Sequence, residues 1–265
     1  MKIVVCIKQV PDTGGVVKID PATGRINREE LPVIMNPDDK AGLEAALRLK
    51  DKNPGTTVAV VSMGPPQADL VLREAMAMGA DDTYLVTDRA FGGADTLATS
   101  KTIAAAIKKI GFGNGDLIIT GRQAIDGDTA QVGPQIAEHL GLQNISYAED
   151  LELQGDKIKV KRQYEDRYHI IEMKLPCLIT ALAELAEPRY MTPGGIFDAF
   201  REKKVTTLTR ADLDIKDEEL GLTGSPTKVA ESWSKQLKGK GTVINKGPEE
   251  SVDFIVESLR KKFVI

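Results

Sequence analysis

The chain has 265 residues, 42% hydrophobic and 28% charged, with 35 Lys and Arg against 39 Asp and Glu for a formal charge of −4. That length allows one large domain or two small ones with a sizeable core. The charge balance lacks the basic surplus that nucleic acid or an anionic membrane surface requires, and no apolar run approaches the roughly 20 residues of a membrane span. Cys6 and Cys177 lie far apart in apolar runs, which reads as buried thiols in a reducing compartment. His139 and His169 have no neighbours at metal-ligand spacing, so no metal site is expected. Met1 to Cys6 opens directly as a strand without a charged leader, and a cytoplasmic location is expected.

In chain order, Ile3-Val4-Val5-Cys6-Ile7 reads as a buried strand, followed after a Gly/Pro/Asp-rich loop by a helix from Asp38 to Lys50. Val58 to Val61 is the next strand. The following helix carries Ala68, Val71, Leu72, Ala75 and Met76 at i, i+3, i+4, i+7 and i+8, one face of a 3.6-residue period. Thr83 to Val86 is a third strand, Leu97 to Ile110 a helix, Leu117 to Thr120 a fourth strand, and Ala130 to Leu140 a further helix. Continuous apolar strands alternating with helices predict a mostly parallel, doubly wound, Rossmann-like α/β sheet covered on both faces. Beyond residue 145 the pattern alternates apolar and polar over 151–153, 158–161 and 168–171, with Gly155-Asp156 as a turn, which predicts an added antiparallel meander. Cys177 to Leu182 returns to buried-strand composition. From Pro188 the chain is polar and turn-rich until Pro248 to Phe263 regains a helical pattern. The expected division is an α/β domain over 1–190 and, over 191–265, an extended C-terminal arm that buries Trp233 and Phe254 against a second polypeptide rather than remaining disordered.

Ligands of an open parallel sheet sit beyond the carboxyl ends of its strands, and a helix start there offers N–H groups to a phosphate. The fourth strand ends in Gly121-Arg122-Gln123-Ala124-Ile125-Asp126-Gly127-Asp128-Thr129-Ala130-Gln131-Val132-Gly133. Gly121 and Gly127 permit close backbone approach, and Asp128 or Thr129 can cap the next helix, so the segment reads either as a nucleotide-phosphate loop or as an ordinary capped turn in which Asp126 and Asp128 serve only the backbone. No standard phosphate-loop motif occurs in it, and with Arg122 as its only cation an Asp126/Asp128 magnesium site for phosphoryl transfer is weakly supported. On the same sheet edge lie Asn36, which either reads a base or ribose edge or caps its helix, and Met63. Asp95, Thr96 and Thr99, in the small-residue segment Gly92 to Ser100, either contact a phosphate or flavin or simply start a helix. No nucleophile, base and orienter assemble, so redox chemistry here would have to be carried by a cofactor.

These residues resemble a known family. Gly121 to Gln131 resembles the nucleotide loop of the beta (small) subunit of electron-transfer flavoproteins. Val160-x-Arg162-x-x-Glu165-Asp166, Leu175-Pro176-x-Leu178-Ile179-Thr180-Ala181, Glu187-Pro188-Arg189-Tyr190 and Ile196-Phe197-x-Ala199 are similar to its signature region. Ile7 to Val10, Met35-Asn36-Pro37 and Ala77 to Asp81 also fit. The resemblance implies an obligate heterodimer with a flavin-carrying alpha subunit, embraced by the C-terminal arm. It puts nucleotide contacts at Cys6 (main chain), Asn36, Asp38, Asp39, Met63 and the 121–133 loop, and partner docking at Arg189, Tyr190, Met191 and Pro193, the last standing where the family carries a Leu anchor. Members that only shuttle electrons hold AMP and carry an acidic residue where this chain has Gly127. The pattern from Gly127 to Pro134 is similar to the flavin-bifurcating branch, which implies FAD in this chain, hydride from NADH, and electrons passed to ferredoxin and, through the alpha-subunit flavin, to an acyl-CoA dehydrogenase/reductase or lactate-dehydrogenase-type flavoenzyme. Loss of a carboxylate there removes bulk and charge beside a diphosphate. A nucleotide-binding stress-type sensor would account for the first 140 residues but not for Glu187 to Tyr190 or the arm.

Overall fold

The computed structural model describes residues 1–12, 32–227 and 241–265, and the chain divides into two compact units, Met1–Ala230 and Glu231–Ile265. The first unit begins with β1 (Lys2–Cys6), a short antiparallel pair of β2 (Gln9–Pro11) and β3 (Val33–Met35), and α1 (Pro37–Lys52). It continues through β4 (Thr57–Met63), α2 (Asp69–Met78), β5 (Asp82–Val86), α3 (Thr96–Ile110), β6 (Leu117–Gly121) and α4 (Val132–Leu140). Then come β7 (Gln143–Gln154), β8 (Lys157–Gln163), β9 (Tyr168–Lys174), β10 (Cys177–Ala181), α5 (Pro193–Arg201) and β11 (Thr206–Leu208).

Among the described residues the large sheet has the order β11-β5-β4-β1-β6-β10-β7-β8-β9. The strands from β11 to β7 run parallel, and β7, β8 and β9 form the antiparallel meander. This is the expected fold class, with its cause visible in β1: Ile3 and Val5 pack with Leu43, Leu47 and Leu72 on one face, while Val4 and Cys6 pack with Ile103, Ile107 and Ile136 on the other. A strand buried on both faces has no polar side to alternate. β4 and β5 are laid down on one side of β1 and β6 on the other, so the strand order reverses at β1/β6. The crevice at such a switch point is where ligands of open α/β sheets bind.

The division of the chain differs from the expected boundary at residue 190. β11 extends the sheet beyond β5, and the fully buried Ala199 of α5 packs on Met76 and Ala77 of α2. Leu208, Leu213 and Leu220 join the core. Single apolar residues spaced among polar and turn residues do this, and no periodicity reveals them. In the second unit α6 (Pro248–Lys261) spans most of the helical stretch expected over Pro248 to Phe263. Val252, Ile255, Val256 and Leu259 recur at helical spacing along it, and none of its residues, Phe254 included, is buried within the chain. Trp233 lies outside the described residues.

Close packing at the switch point depends on glycine. A Cβ on Gly133, in the first turn of α4, would lie 2.5 Å from Thr120 Oγ1 and 2.8 Å from Thr180 Cγ2, two β-branched residues of central strands with little freedom to move. A Cβ on Gly127 meets nothing within 4 Å. Gly133→Ala should therefore lower stability by about 1–3 kcal/mol through overpacking, and Gly127→Ala should stay within about 0.5 kcal/mol of wild type, both read from urea midpoints at unchanged m-value.

Candidate functional site

Four strand ends open on one cavity of about 910 Å3. Cys6, Ile7 and Lys8 leave β1, Met63, Gly64 and Pro65 leave β4, Thr87 to Arg89 leave β5, and 121–124 leave β6. The starts of two helices complete the wall: Asp95, Thr96 and Thr99 at α3, and the 127–133 loop running into α4. Thr96 Oγ1 donates to Gln131 Oε1 at 3.0 Å, joining the two helix starts. The two are treated oppositely. Asp95 accepts from the N–H groups of Leu97 and Ala98 and so caps α3, whereas the N-cap of α4, Gln131, makes no side-chain cap bond. Uncapped N–H groups at a helix start favour an anion.

Most of the residues singled out from the sequence meet at this cavity, but Asn36, Asp38, Ile125 and Asp126 lie outside its lining. Asn36 is fully buried and braces the loop: its Nδ2 donates to the Gln123 carbonyl at 2.8 Å and its Oδ1 accepts from the Ile125 N–H at 3.1 Å. It makes no cap bond, and both ends of its amide are engaged by the loop rather than turned to a base edge. Asp126 pairs with Lys8 Nζ at 2.8 Å. Asp38 lies 3.4 Å from Arg122 Nε, an ion pair without hydrogen-bond alignment; burial raises its carboxyl above the usual range although Arg122 pulls the other way. Asp128 does not cap α4 either. The helix starts at Val132, and Asp128, at φ 49°, accepts from Gln123 Nε2 at 2.8 Å. An Asp tolerates the left-handed region, so its local bond competes with capping. The sequence reading missed Lys8, Asp88, Arg89, Phe91, Ile103 and Ile136 as lining residues; for the first four the segment following β1 or β5 was the available signal, whereas Ile103 and Ile136 lie inside α3 and α4 and left none.

Asp39 forms the floor. It accepts from Lys8 N at 2.8 Å through Oδ2 and from Gly121 N at 2.9 Å through Oδ1, and a Cβ on Gly121 would fall on that carboxylate. Burial pushes the Asp39 carboxyl up to about 7, against the pull of these N–H donors. Burial and the neighbouring Asp39 push the Cys6 thiol up to about 12, so Cys6 stays a neutral wall residue. Among the described residues no cluster of three or more His, Cys, Asp or Glu is placed to hold a metal ion, and no helix is long and apolar enough to cross a membrane.

The proposed docking residues separate into an anchor and a display. Glu44 of α1, 3% exposed, accepts from Arg189 N at 3.1 Å and Arg189 Nε at 2.8 Å, and from Arg48 Nε at 2.9 Å. Arg189 also reaches Asp51 at 2.7 Å. Burial raises the Glu44 carboxyl, but these guanidinium and N–H donors outweigh it and hold it below the usual range. Arg189 is therefore turned inward, while Tyr190 is 95% exposed, and Met191 together with Phe197 and Phe200 of α5 is exposed as well. Pro193 opens α5, which Thr192 caps by accepting from Gly195 N.

Strand order, switch-point cavity and helix starts together place the chain among the doubly wound α/β proteins whose ligands sit at the carboxyl edge of the sheet. Comparison with known proteins narrows this: the family model described as "Electron transfer flavoprotein domain" matches residues 23–213. The chain is 55% identical to an electron transfer flavoprotein subunit beta of Clostridium acetobutylicum over 265 residues, covering 100% of both chains. It is 53% identical to subunit CarD of the caffeyl-CoA reductase-Etf complex of Acetobacterium woodii and 47% identical to the acryloyl-CoA reductase electron transfer subunit gamma of Anaerotignum propionicum, again covering 100% of each chain. The chain belongs to the electron transfer flavoprotein family and is a subunit of its beta type.

The Asp39 floor yields a pH prediction. The folded chain holds the Asp39 proton up to about pH 7, whereas an unfolded Asp titrates near about 4. The stability contributed by neutral Asp39 is therefore complete below about pH 4 and lost as the pH rises through about 7. Asp39→Asn removes the titrating group, at a pH-independent cost for the N–H it leaves facing an amide NH2, so the melting temperature of wild type should fall relative to that of Asp39→Asn between pH 4 and pH 8. A constant difference across that range would remove Asp39 as the titrating group.

Proposed function

We propose that this subunit binds FAD in the switch-point cavity, receives hydride from NADH, and passes electrons to ferredoxin and to the flavin of an alpha subunit in a bifurcating complex. The observation that carries the reading is the open space at Gly127, which carries no side chain of its own, beside the uncapped start of α4. A cavity of about 910 Å3 is at the upper end of ordinary ligand pockets, about 300–1,000 Å3, as a dinucleotide requires. The relatives in caffeyl-CoA and acryloyl-CoA reductase complexes support the same setting.

In this reading the chain's residues hold and screen. N–H groups of the 127–133 loop meet a diphosphate, with Lys8, Arg89 and Arg122 as the cations on the wall. Met63, Phe91, Ile103 and Ile136 present apolar surface that excludes water from a ring system. Bound there, FAD supplies the redox chemistry: two-electron uptake from NADH and release of electrons one at a time. The protonated Cys6 contributes packing and no nucleophile. Tyr190, Met191 and the exposed face of α5 dock a partner flavoenzyme of the acyl-CoA dehydrogenase/reductase or lactate-dehydrogenase type, and α6 with its unpartnered stripe engages the alpha subunit.

Gly127→Asp tests the cofactor. There is room for the side chain, so its effect is charge rather than bulk. At about 4 Å and an effective dielectric near 20, a carboxylate opposes each phosphate charge by up to ~4 kcal/mol before solvent screening. Bound FAD per heterodimer, measured after protein precipitation, should fall from two toward one, and NADH-dependent ferredoxin reduction should disappear. Two FAD and full activity in the variant, or one FAD plus AMP in wild type, overturn the reading.

A further inference from the structure

Residues 219–227 are stitched to the wall of the cavity. Leu222 N donates to the Gly92 carbonyl at 3.1 Å, Lys101 pairs with Glu219 at 2.8 Å, and a Cβ on Gly221 would collide with the Ala90 and Gly92 carbonyls. The bonds converge on one carboxylate. While Asp95 Oδ1 caps α3, its Oδ2 accepts from Thr227 N at 3.0 Å, and its own N–H donates to the Oγ of Ser225 at 2.8 Å. Ser225, 3% exposed, in turn donates to the Gly221 carbonyl at 2.6 Å. Burial pushes the Asp95 carboxyl up, and the N–H donors of Thr227, Ala98 and Leu97 outweigh it and hold it below the usual range. The neighbouring Thr96 reaches across to Gln131 at the start of α4.

We infer that Asp95 is a positioning residue that couples the segment leading toward the C-terminal unit to the cofactor cavity, so that the Thr227–Asp95 bond sets how tightly the nucleotide is held. The warrant is a contiguous path, Thr227 hydrogen-bonded to Asp95, Asp95 adjoining Thr96 and capping α3, and Thr96 hydrogen-bonded to Gln131, with Asp95, Thr96 and Gln131 all lining the cavity. Coupling of this kind is reciprocal: an alpha subunit that engages the C-terminal unit and draws on residues 225–227 changes the affinity of the cavity, and a filled cavity favours that engagement by the same factor. This rests on the cofactor reading above.

Two substitutions break the Thr227–Asp95 contact from opposite sides. Thr227→Pro deletes the donor N–H. Asp95→Asn keeps an oxygen to cap α3, since Asn caps as well as Asp, but turns an amide NH2 toward Thr227 N. In the purified two-subunit complex, each should speed FAD loss from this cavity into excess FAD-specific apoenzyme by about 5-fold or more and raise hydrogen exchange over residues 92–99. The double variant should be no worse than the weaker single variant, because both remove the same interaction. Ser225→Ala, which breaks the neighbouring bond, should move both readouts in the same direction. Unchanged exchange over 92–99 in both single variants, or additive losses in the double variant, overturns the coupling. Exchange that responds as expected in a wild type holding no FAD in this cavity leaves the coupling standing and removes the cofactor reading instead.

Discussion

The Asp39 carboxylate accepts N–H bonds from Lys8 and from Gly121, and so ties the ends of β1 and β6 together at the point where the strand order reverses. Neither strand end has a helical or sheet partner for these donors, and a buried unpaired N–H costs about as much as a lost hydrogen bond. The tie also dictates sequence around it. Asp39 reaches both donors only because α1 starts directly after β3 at Pro37, and Gly121 is glycine because any side chain there would occupy the carboxylate's place. The adjacent Asn36 extends the same tie to the loop carbonyl and N–H of Gln123 and Ile125. The floor and one wall of the cavity thus hang on the first turn of a single helix.

Above that floor, the two helix starts divide the cavity by charge. At α3 the donors are consumed internally by Asp95, leaving the hydroxyls of Thr96 and Thr99 to the cavity. At α4 no side chain consumes them, and the loop before the helix turns through Asp128 and Ala130 at positive φ without placing a carboxylate on the N-cap. An anionic ligand group therefore meets open donors at α4 and a carboxylate at α3. The difference between the two helix ends follows from one residue type, Asp at one N-cap and Gln at the other.

The α/β core was legible because its signal is periodic: runs such as Ile3 to Ile7 and Leu117 to Thr120 have no polar face, and the helix over 69–78 repeats its apolar residues at 3.6. The loops of the site were legible because strand ends locate ligands whatever their sequence. Individual roles were not. That Asn36 braces a loop, that Asp128 bonds Gln123 instead of capping, and that Arg189 points inward to Glu44 are each decided by contacts between residues far apart in the chain or by one backbone angle, and neither leaves a local pattern. β11 was missed for a related reason: three residues that complete an edge carry too little alternation to stand out.

The same short signals explain why residues 191–227 read as an arm. Ala199, Leu208, Leu213 and Leu220 are isolated in sequence, yet each is buried, and each closes a gap at the β5 side of the sheet. A segment whose ordering costs roughly 1–2 kcal/mol per residue in backbone entropy holds its place only where burial and hydrogen bonds offset that cost at short intervals. Here they do so: an apolar residue, an ion pair or a carboxylate-held N–H recurs every few positions as far as Thr227. In α6, by contrast, none of Val252, Ile255, Val256 and Leu259 is buried among the described residues. The described residues from 191 to 227 are therefore tied into the first unit. The bond from Thr227 N to Asp95 is the fastening nearest the C-terminal end of that segment, and it shares its carboxylate with the start of α3, so one side chain serves both the segment and the helix.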